Sequence, residues 1–490
     1  MMADANQRDF TGPELCRMAA HEVVALLKRR EISPEELLGA AFTRIEAVEP
    51  AINAMPTTCR DRAENAARDP DIAQKDHPGW LGGLPLGIKD LDRVKGVRTT
   101  FGTLGLADHV PDFSEHFVDR LESRGGIVAG KTNTPEMGAG GNTFNGVFGA
   151  TRNPWDTRMN AAGSSGGAAA SLATGETWLS SGSDHGGSLR TPAAYCGVVG
   201  LRPTPGRVAA TLVAGSSAGF VTEGVPGPMA RSVRDCALFL DAMSGFEPRV
   251  PLSFPAPDIA FQESVRRADG KVRILYAPDL NGLCPVEREI AETLERALGA
   301  AARSGAKVEQ GCPDLTALER TYFTIRAVGF LASYSQMPVE ITRHFKPTIR
   351  ENLAFAQTVT PQDIASANIA RTTLFLNMQS CLRDFDVLAC PTVGCMPRPV
   401  ELEWVDQING RKFVNYMDWL RFAFLATTTG LPAISIPVGF ANGMPVGLQL
   451  IGPPRGEAVL LAAARSVEMA VGGPLGPIDP NITHVARNGT

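Results

Sequence analysis

The sequence predicts an α/β protein built on one large twisted mixed β-sheet with helices on both faces. Helix-like and strand-like patterns alternate along the 490 residues, which favours a parallel or mixed sheet covered on both sides. Hydrophobic residues make up 44% of the chain and charged residues 20%, a composition typical of globular rather than disordered proteins. We therefore expect a single folded domain.

The N-terminal part of the chain, residues 11–70, is predicted to be helical. Residues 33–36 (Ser-Pro-Glu-Glu) form a capping box with proline in the first turn, followed by apolar residues spaced for one helical face. Residues 115–124 predict a helix closed by Gly125, and residues 127–129 predict a short strand.

The second half of the chain continues the alternation. Asn442-Gly443 is a strong hairpin-turn signal between two apolar runs. We predict strands at 272–276, 306–309, 434–440 and 444–451, and helices at 286–304 and 457–469.

Charge and composition exclude several classes of protein. The formal net charge is −5, whereas a nucleic-acid binder should show a basic excess. No run approaches the roughly 20 apolar residues of a membrane helix, and the N-terminus lacks the features of a secretory signal. The nine cysteines are scattered without a Cys-x-x-Cys pair, which fits reduced thiols in the cytoplasm. Because no His, Cys, Asp and Glu ligand set is clustered, we predict no metal and no cofactor.

Residues 160–206 are crowded with Gly, Ser and Ala. Dense glycine inside a compact domain indicates backbone that approaches another group closely, although flexible linkers have a similar composition. Apolar residues embedded in the stretch, such as Trp178, Tyr195 and Leu201, argue against a solvated linker.

Two short motifs give competing predictions. Residues 125–132 match the phosphate-loop pattern G-x-x-x-x-G-K-[ST], but their Ile-Val-Ala centre prefers to be a strand, so we interpret the match as chance and Lys131 as structural. Residues 163–167 match the G-x-S-x-G nucleophile elbow, which would make Ser165 a nucleophile. No hydrophobic strand precedes that motif, so an esterase using Ser165 is kept as an alternative.

Lys89 ends an apolar run, residues 83–89, and is a candidate for burial. Burial disfavours the ammonium form and lowers the pKa of a lysine, which makes it a general base. Taken alone, the segment favours a simpler interpretation, in which Lys89 reaches solvent or pairs with Asp90 or Asp92.

Longer motifs around the glycine-rich stretch favour the general-base interpretation of Lys89 instead. They comprise 130–136, 151–156, 163–167, 182–190, 192–204, 227–235 and 430–437. Together they resemble the amidase signature family, the Ser-cisSer-Lys hydrolases, from about residue 35 to residue 452. The resemblance implies the amidase-signature form of the predicted mixed α/β fold.

The resemblance also implies roles for individual residues. Ser188 is the nucleophile, Ser164 is a bridging serine on a cis peptide bond, and Lys89 is the base. Ser165, Asp184 and Arg190 support these three, the last two as a structural pair. The implied oxyanion hole consists of the backbone amides of His185, Gly186, Gly187 and Ser188. The implied pocket wall consists of Gly138, Ala139 and Gly140, with Met137, Asn142 and Phe144 as weaker candidates and the His185 side chain as a lining group.

These roles predict a hydrolase that cleaves the C–N bond of small amides, aryl amides among them, through an acyl-enzyme. Esters and carbamates stay open as substrates, because they share that chemistry. The alternatives are a glutamine amidotransferase A-type subunit, the Ser165 esterase and a non-catalytic scaffold subunit. The amidotransferase is less favoured, because the Ser-Arg-Tyr-Gly run usual after Gly206-Arg207-Val208 is missing. We expect a small-molecule substrate, water, no nucleic acid, no membrane, and a monomer or homodimer.

The predicted domain spans 1–490 and divides into five parts. They are a helical N-terminal part (11–70), a signature core (80–207), a variable substrate-pocket region (208–426), a C-terminal hairpin and helix (427–472) and a loose tail (473–490).

Overall fold

A computed structural model describes residues 9–68, 75–213 and 220–484. Three short 3-10 helices in this part of the chain are Leu104–Leu106, Glu136–Gly138 and Asp418–Ala423. Its α-helices are α1 Glu14–Arg17, α2 Ala20–Arg29, α3 Pro34–Ile52, α4 Arg60–Arg68, α5 His116–Ser123, α6 Gly166–Thr174, α7 Arg190–Cys196, α8 Val233–Met243, α9 Phe261–Arg266, α10 Arg288–Arg303, α11 Leu318–Tyr334, α12 Val339–Thr342, α13 Pro347–Ala356, α14 Pro361–Asp384, α15 Phe424–Thr429 and α16 Glu457–Ala470.

The strands form one large sheet and three two-stranded ribbons. They are β1 Thr57–Thr58, β2 Pro85–Lys89, β3 Ile127–Thr132, β4 Phe144–Asn145, β5 Gly149–Ala150, β6 Arg152–Asn153, β7 Asp156–Asn160, β8 Leu179–Asp184, β9 Val199–Arg202, β10 Val225–Ala230, β11 Arg273–Tyr276, β12 Lys307–Gln310, β13 Val387–Pro391, β14 Gln407–Ile408, β15 Arg411–Lys412, β16 Ala433–Ala441 and β17 Met444–Ile451.

The large sheet has eleven strands in the order β1-β3-β2-β8-β10-β9-β16-β17-β13-β11-β12. Strands β3, β2 and β8 run parallel to one another, as do β13, β11 and β12. The pairs between these two groups are antiparallel. The mixed sheet that the sequence predicts is therefore confirmed.

Both faces of the sheet are buried. Along β13, Val387 and Ala389 pack into one hydrophobic core, whereas Leu388 and Cys390 pack into another. Side chains of a strand alternate between the two faces, so these cores lie on opposite sides of the sheet. Helices α8, α10 and α16 contribute to the first core, and α11, α14 and α15 to the second. Helices on both faces were also predicted.

Local signals placed most of the predicted elements correctly. Ser33 caps α3, since its hydroxyl accepts from the Glu36 amide at 3.2 Å and the Glu36 carboxylate accepts from the Ser33 amide at 2.7 Å. The predicted hairpin is β16–β17. Predicted boundaries agree within two residues, except that the strand predicted at 127–129 extends to Thr132.

The C-terminal segment corrects the prediction of a loose tail over 473–490. Residues 473–484 contain no helix or strand, yet they are bound to the body of the protein. The Ile478 amide donates to the carbonyl of Ala173 at 2.9 Å. Buried Arg44 on α3 donates to the Ile478 carbonyl and to the Asp479 carboxylate, both at 2.8 Å. Residues 485–490 lie outside the described part of the chain.

None of the helices in the described ranges combines the length and apolar character needed to cross a bilayer.

We predict that Arg44→Met lowers the free energy of unfolding by roughly 3 kcal/mol, because it removes the donor from buried carbonyls and the partner from Asp479. Chemical denaturation followed by fluorescence measures this change. Arg60→Met on the neighbouring α4 removes an exposed arginine that pairs with Glu46, and it should cost much less. Equal losses in the two variants would contradict a C-terminal segment anchored through Arg44.

Candidate active site

The predicted site residues meet at one edge of the central sheet. Lys89 is the last residue of β2 and Asp184 the last residue of the parallel strand β8, so both lie at the carboxyl ends of neighbouring strands. Ser164 immediately precedes the first turn of α6, and Ser188 precedes α7. Crevices beyond the carboxyl ends of parallel strands are common ligand sites in open α/β sheets.

The amine of Lys89 lies at the centre of a group of serines. Its Nζ is 2.7 Å from the hydroxyl oxygen of Ser164, 2.8 Å from that of Ser165 and 3.1 Å from that of Ser183. The residue is fully buried. The Lys89 backbone amide donates to the Ser181 hydroxyl, which in turn donates to the Asp92 carboxylate at 3.3 Å. Lys89 is therefore a buried amine held by hydroxyl groups, as the burial interpretation of its apolar run predicts.

The carboxylates around Lys89 oppose the effect of burial on its pKa. Burial lowers the pKa of Lys89 to about 7, while the carboxylates of Asp92 and Asp184 act to raise it. Burial raises the pKa of Asp92, with Glu115 adding to the increase and the cations of Lys131 and Lys89 opposing it. At neutral pH the lysine can therefore exist as a free amine, the form that accepts a proton.

Lys131, the lysine of the rejected phosphate-loop match, has a structural place. It belongs to β3, so no helix begins at this position. Its amine donates to the carbonyl of Asp92 at 2.5 Å and to the Thr99 hydroxyl at 2.9 Å. A phosphate loop requires the helix N-terminus that is missing here.

The two adjacent serines at the start of α6 differ in their surroundings. The peptide bond between Gly163 and Ser164 is cis, as the family resemblance implies, and Ser164 lines a cleft. Ser165 is fully buried, and its hydroxyl accepts from the Ser183 amide at 3.3 Å. Ser165 thus contacts the Lys89 amine from a buried position and does not line the cleft.

Asp184 organises the loop that carries Ser188. Its carboxylate accepts from Arg190 at 2.7 and 3.0 Å and lies 3.6 Å from Arg202. All three side chains are buried. Burial alone would raise the pKa of Asp184, but the charge and hydrogen bonds of Arg190, with the charge of Arg202, hold it well below its usual range. The predicted Asp184–Arg190 pair is present, with Arg202 as a second cation.

The four backbone amides implied as an oxyanion hole are not equivalent. The Gly187 amide donates to the Asp184 carboxylate at 3.1 Å, so it already has an acceptor. Within the described ranges, no acceptor contacts the amides of His185, Gly186 and Ser188. The structure thus leaves three of the four predicted donors available. Gly187 also has φ +95°, a left-handed conformation that turns the chain before Ser188.

Two adjoining clefts open at this edge. The first, of about 250 Å³, is lined by Ser164, Ser183 and Ser188, and the second, of about 270 Å³, by residues of α11. Five residues line both clefts and make them continuous, namely Met137, Gly138, His185, Ala210 and Gly224. The second cleft includes residues of the region 208–426, such as Val221, Arg326 and Phe330.

The six residues predicted as a pocket wall lie in different places relative to the clefts. Met137 and Gly138 line both clefts and Ala139 lines the second, whereas Gly140, Asn142 and Phe144 line neither. Asn142 instead holds the loop after β13, because its side-chain amide donates to the carbonyls of Val400 and Leu402 at 2.9 and 2.8 Å. Phe144 lies against the amine of Lys346, 5.1 Å from the ring centroid.

His185 lines both clefts. Its ring meets that of Tyr322 edge-to-face with centroids 5.9 Å apart. Burial holds the pKa of His185 well below its usual range, and the cations of Arg326 and Arg202 add to this. The imidazole is therefore neutral and is a poor candidate for the reaction's base while Lys89 contacts Ser164 directly.

Sequence reasoning missed three residues of the site, namely Ser183, Tyr322 and Arg326, and it named Asp92 only as a possible ion-pair partner of Lys89. Ser181 and Ser183 share one face of β8 with period two, which is a signal that could have identified them. Arg326 is the one charged residue in the run 321–334 and could have been noted for that reason.

The comparison with known families agrees with this geometry. The family model described as Amidase matches residues 36–461, which is most of the chain. The chain belongs to the amidase signature family. It is accordingly a hydrolase that acts on C–N bonds of amides.

Individual relatives cover almost the whole chain. An acylamidase of Rhodococcus erythropolis is 35% identical over 467 residues, covering 94% of this chain and 96% of the relative. The A-type subunit of a Moorella thermoacetica glutamyl-tRNA(Gln) amidotransferase is 33% identical, covering 93% and 97%. Among solved structures, a bacterial aryl acylamidase of the same family superposes with a TM-score of 0.85 at 28% identity, covering 94% and 97%.

We predict that Asp184→Asn lowers the free energy of unfolding by roughly 3–5 kcal/mol, because Arg190 and Arg202 lose their buried counter-charge. Differential scanning fluorimetry and denaturant titration measure the loss. Glu263→Gln, which removes a carboxylate from the surface pair with Arg266 and Arg267, is the control and should cause no measurable loss. A wild-type melting profile for Asp184→Asn would refute the structural role of this carboxylate.

Proposed function

We propose that this enzyme hydrolyses small amides, aryl amides among them, through an acyl-enzyme on Ser188. The observation that carries the proposal is the 2.7 Å contact between the buried amine of Lys89 and the hydroxyl of Ser164, in the cleft that Ser188 also lines. A serine hydroxyl is a weak nucleophile and needs a base within hydrogen-bond reach. The acylamidase and aryl acylamidase relatives favour amides over other acyl compounds.

The proposed relay moves protons through Ser164. The neutral amine of Lys89 accepts the proton of Ser164, and Ser164 accepts the proton of Ser188 as the Ser188 oxygen attacks the amide carbon. When the tetrahedral intermediate collapses, the C–N bond breaks and the same path returns a proton to the leaving amine. This return matters because an amine leaves poorly without a proton. Water then attacks the acyl-enzyme by the same route and releases the acid.

The backbone amides of His185, Gly186 and Ser188 are proposed to stabilise the oxyanion. Donors fixed before the reaction stabilise developing charge without reorganisation. Asp184 supports this indirectly, since it holds the Gly187 and Leu189 amides on either side of Ser188, both at 3.1 Å. Ester and carbamate carbonyls fit the same chemistry and are included in the proposal, as are a cytoplasmic location and a monomeric or homodimeric state.

A glutamine amidotransferase subunit is the second candidate, favoured by the 33% identity to the Moorella thermoacetica protein. Release of ammonia from glutamine would identify it. The Ser165 esterase is disfavoured, because Ser165 is fully buried and outside the cleft.

We predict that Ser188→Ala abolishes hydrolysis of p-nitroanilides, and that Lys89→Met and Ser164→Ala each lower kcat/KM by roughly three or more orders of magnitude. The Ser188→Ala variant lacks the nucleophile, and the other two variants lack part of the proton path. Continuous assay of p-nitroaniline release measures the rates, and mass spectrometry after fluorophosphonate labelling identifies the modified serine.

Ser171→Ala is the matched control for these variants. Ser171 is a buried serine of α6 whose hydroxyl contacts Ala168 and Thr177, away from Lys89. Its rate should stay close to that of the wild type. Labelling at Ser165, or near-normal turnover of Lys89→Met, would contradict the proposed relay.

We predict that kcat/KM rises with pH through an apparent pKa near 7, because only the neutral form of Lys89 accepts a proton and burial lowers its pKa to about 7. The Asp92 carboxylate raises the pKa of Lys89, so Asp92→Asn should move this acid limb to lower pH. The pH dependence of kcat/KM for a p-nitroanilide measures both effects.

Asp119→Asn, an exposed change on α5, is the control for the pH profile and should leave the limb in place. A rate that is independent of pH across this range, or an acid limb that moves to higher pH in Asp92→Asn, would contradict Lys89 as the base.

A further inference from the structure

Arg326 is a buried cation that faces the second cleft. It lies on α11, is only 6% exposed, and lines the cleft together with Phe330 and Tyr334. This cleft is continuous with the one that holds Ser188, through shared residues such as His185 and Gly138. Arg326 therefore faces a space that a substrate bound at Ser188 can extend into.

The guanidinium of Arg326 lacks the partner that buried arginines need. Within the described part of the chain it donates one hydrogen bond, to the hydroxyl of Tyr416, and its carbon lies over the Phe330 ring, 4.4 Å from the centroid. Within the described ranges, its Nε is buried without an acceptor and no carboxylate lies at ion-pair distance. The sequence 214–219, Ala-Gly-Ser-Ser-Ala-Gly, contains no acidic residue either. Buried charges are normally paired.

Two further polar atoms near Arg326 are buried without partners. Among the residues that the structure describes, the hydroxyl of Tyr322, one helical turn before Arg326, and the Nε2 atom of His185 have no hydrogen-bond partner. The rings of these two residues are in contact, and Tyr322 is held by stacking on Phe424 with centroids 3.6 Å apart. A buried polar group without a hydrogen-bond partner costs free energy. Of these groups, Arg326 and His185 line the second cleft, so the cleft is suited to a ligand that accepts a hydrogen bond from the guanidinium.

The acidic residue that lines the same cleft is already neutralised. Glu223 forms an ion pair with Arg371 at 2.8 Å and accepts from the Thr222 hydroxyl at 3.1 Å. With Glu223 paired to Arg371, the charge of Arg326 remains uncompensated at the cleft. The cleft therefore attracts an anion.

We propose that this cleft binds a carboxylate of the substrate through Arg326, so that the preferred substrates are amides that carry a carboxylate away from the scissile bond. A carboxylate matches the planar fork of a guanidinium, and it also accepts from His185 when the neutral ring carries its proton on Nε2. The proposal rests on the proposed function, because it names the substrate class of the same site.

The first test compares matched substrates that differ in charge. Glutaryl-p-nitroanilide, with the carboxylate on the acyl side, is paired with its methyl ester. N-acetyl-6-aminohexanoate, with the carboxylate on the amine side, is paired with N-acetylhexylamine. We expect wild-type kcat/KM to be at least about tenfold higher for the charged member of one pair.

Variants then test whether Arg326 is responsible. Arg326→Met should remove most of this preference and so reduce the charged-to-neutral ratio of kcat/KM roughly tenfold or more, mainly through KM. Arg326→Lys keeps the charge without the fork and should retain part of the preference. Arg320→Met removes an exposed arginine from the same helix, paired with Asp363, and should leave the ratio unchanged.

A measurement on the wild-type enzyme covers the case in which Arg326→Met fails to fold. Glutarate should slow fluorophosphonate labelling of Ser188, whereas pentane-1,5-diol, a neutral molecule of the same length, should not. Hydrolysis of the neutral substrates without a preference for carboxylate in either pair, together with no protection by glutarate, would overturn the inference and leave the proposed function standing. No hydrolysis of any substrate and no labelling of Ser188 would overturn both.

Discussion

The burial of one lysine amine is the constraint on which the site depends. An ammonium group has three N–H donors, and the Nζ of Lys89 is surrounded by three hydroxyl oxygens within 3.1 Å. Hydroxyls can also donate, so the same three serines can satisfy the lone pair of a neutral amine. The three serines can therefore form hydrogen bonds with the Lys89 amine in both of its protonation states. Because the serines come from the start of α6 and the end of β8, these elements must keep a fixed distance from β2.

A second constraint concerns the loop that carries Ser188. It keeps the Asp184 carboxylate ionised and separate from the proton transfers of Lys89. Asp184 is two positions beyond Gly182 and near the lysine group, yet its two arginine partners hold it ionised. It therefore fixes the loop instead of exchanging protons with Lys89. This arrangement also explains the dense glycine. A Cβ at Gly182 would lie 2.8 Å from the Ser165 hydroxyl, and one at Gly187 would lie 2.8 Å from the Thr191 hydroxyl.

Sequence analysis correctly predicted the elements that depend on residues close together in the chain. The Ser33 cap and the β16–β17 hairpin depend on neighbouring residues, so their patterns sufficed. The three central residues of the site came from long motifs typical of a family, because Lys89 and Ser164 are 75 positions apart and no local pattern joins them. The contacts of Asn142 could not be predicted for a related reason, since its partner carbonyls lie about 260 positions further along the chain.

Arg326 was not identified from the sequence, because its significance depends on the lack of a carboxylate partner within the described part of the fold. Arg190 and Arg202 are as deeply buried, but Asp184 lies within 3.6 Å of both. Arg326 instead contacts the ring of Phe330 and the ring and hydroxyl of Tyr416. Cation–π contacts recover part of the cost of desolvation, but less than a carboxylate does at hydrogen-bond distance. A fold optimised for stability alone would replace such an arginine with an apolar residue. Its retention beside the Ser188 cleft is understandable if the missing carboxylate arrives with the substrate, where the same interaction contributes to specificity.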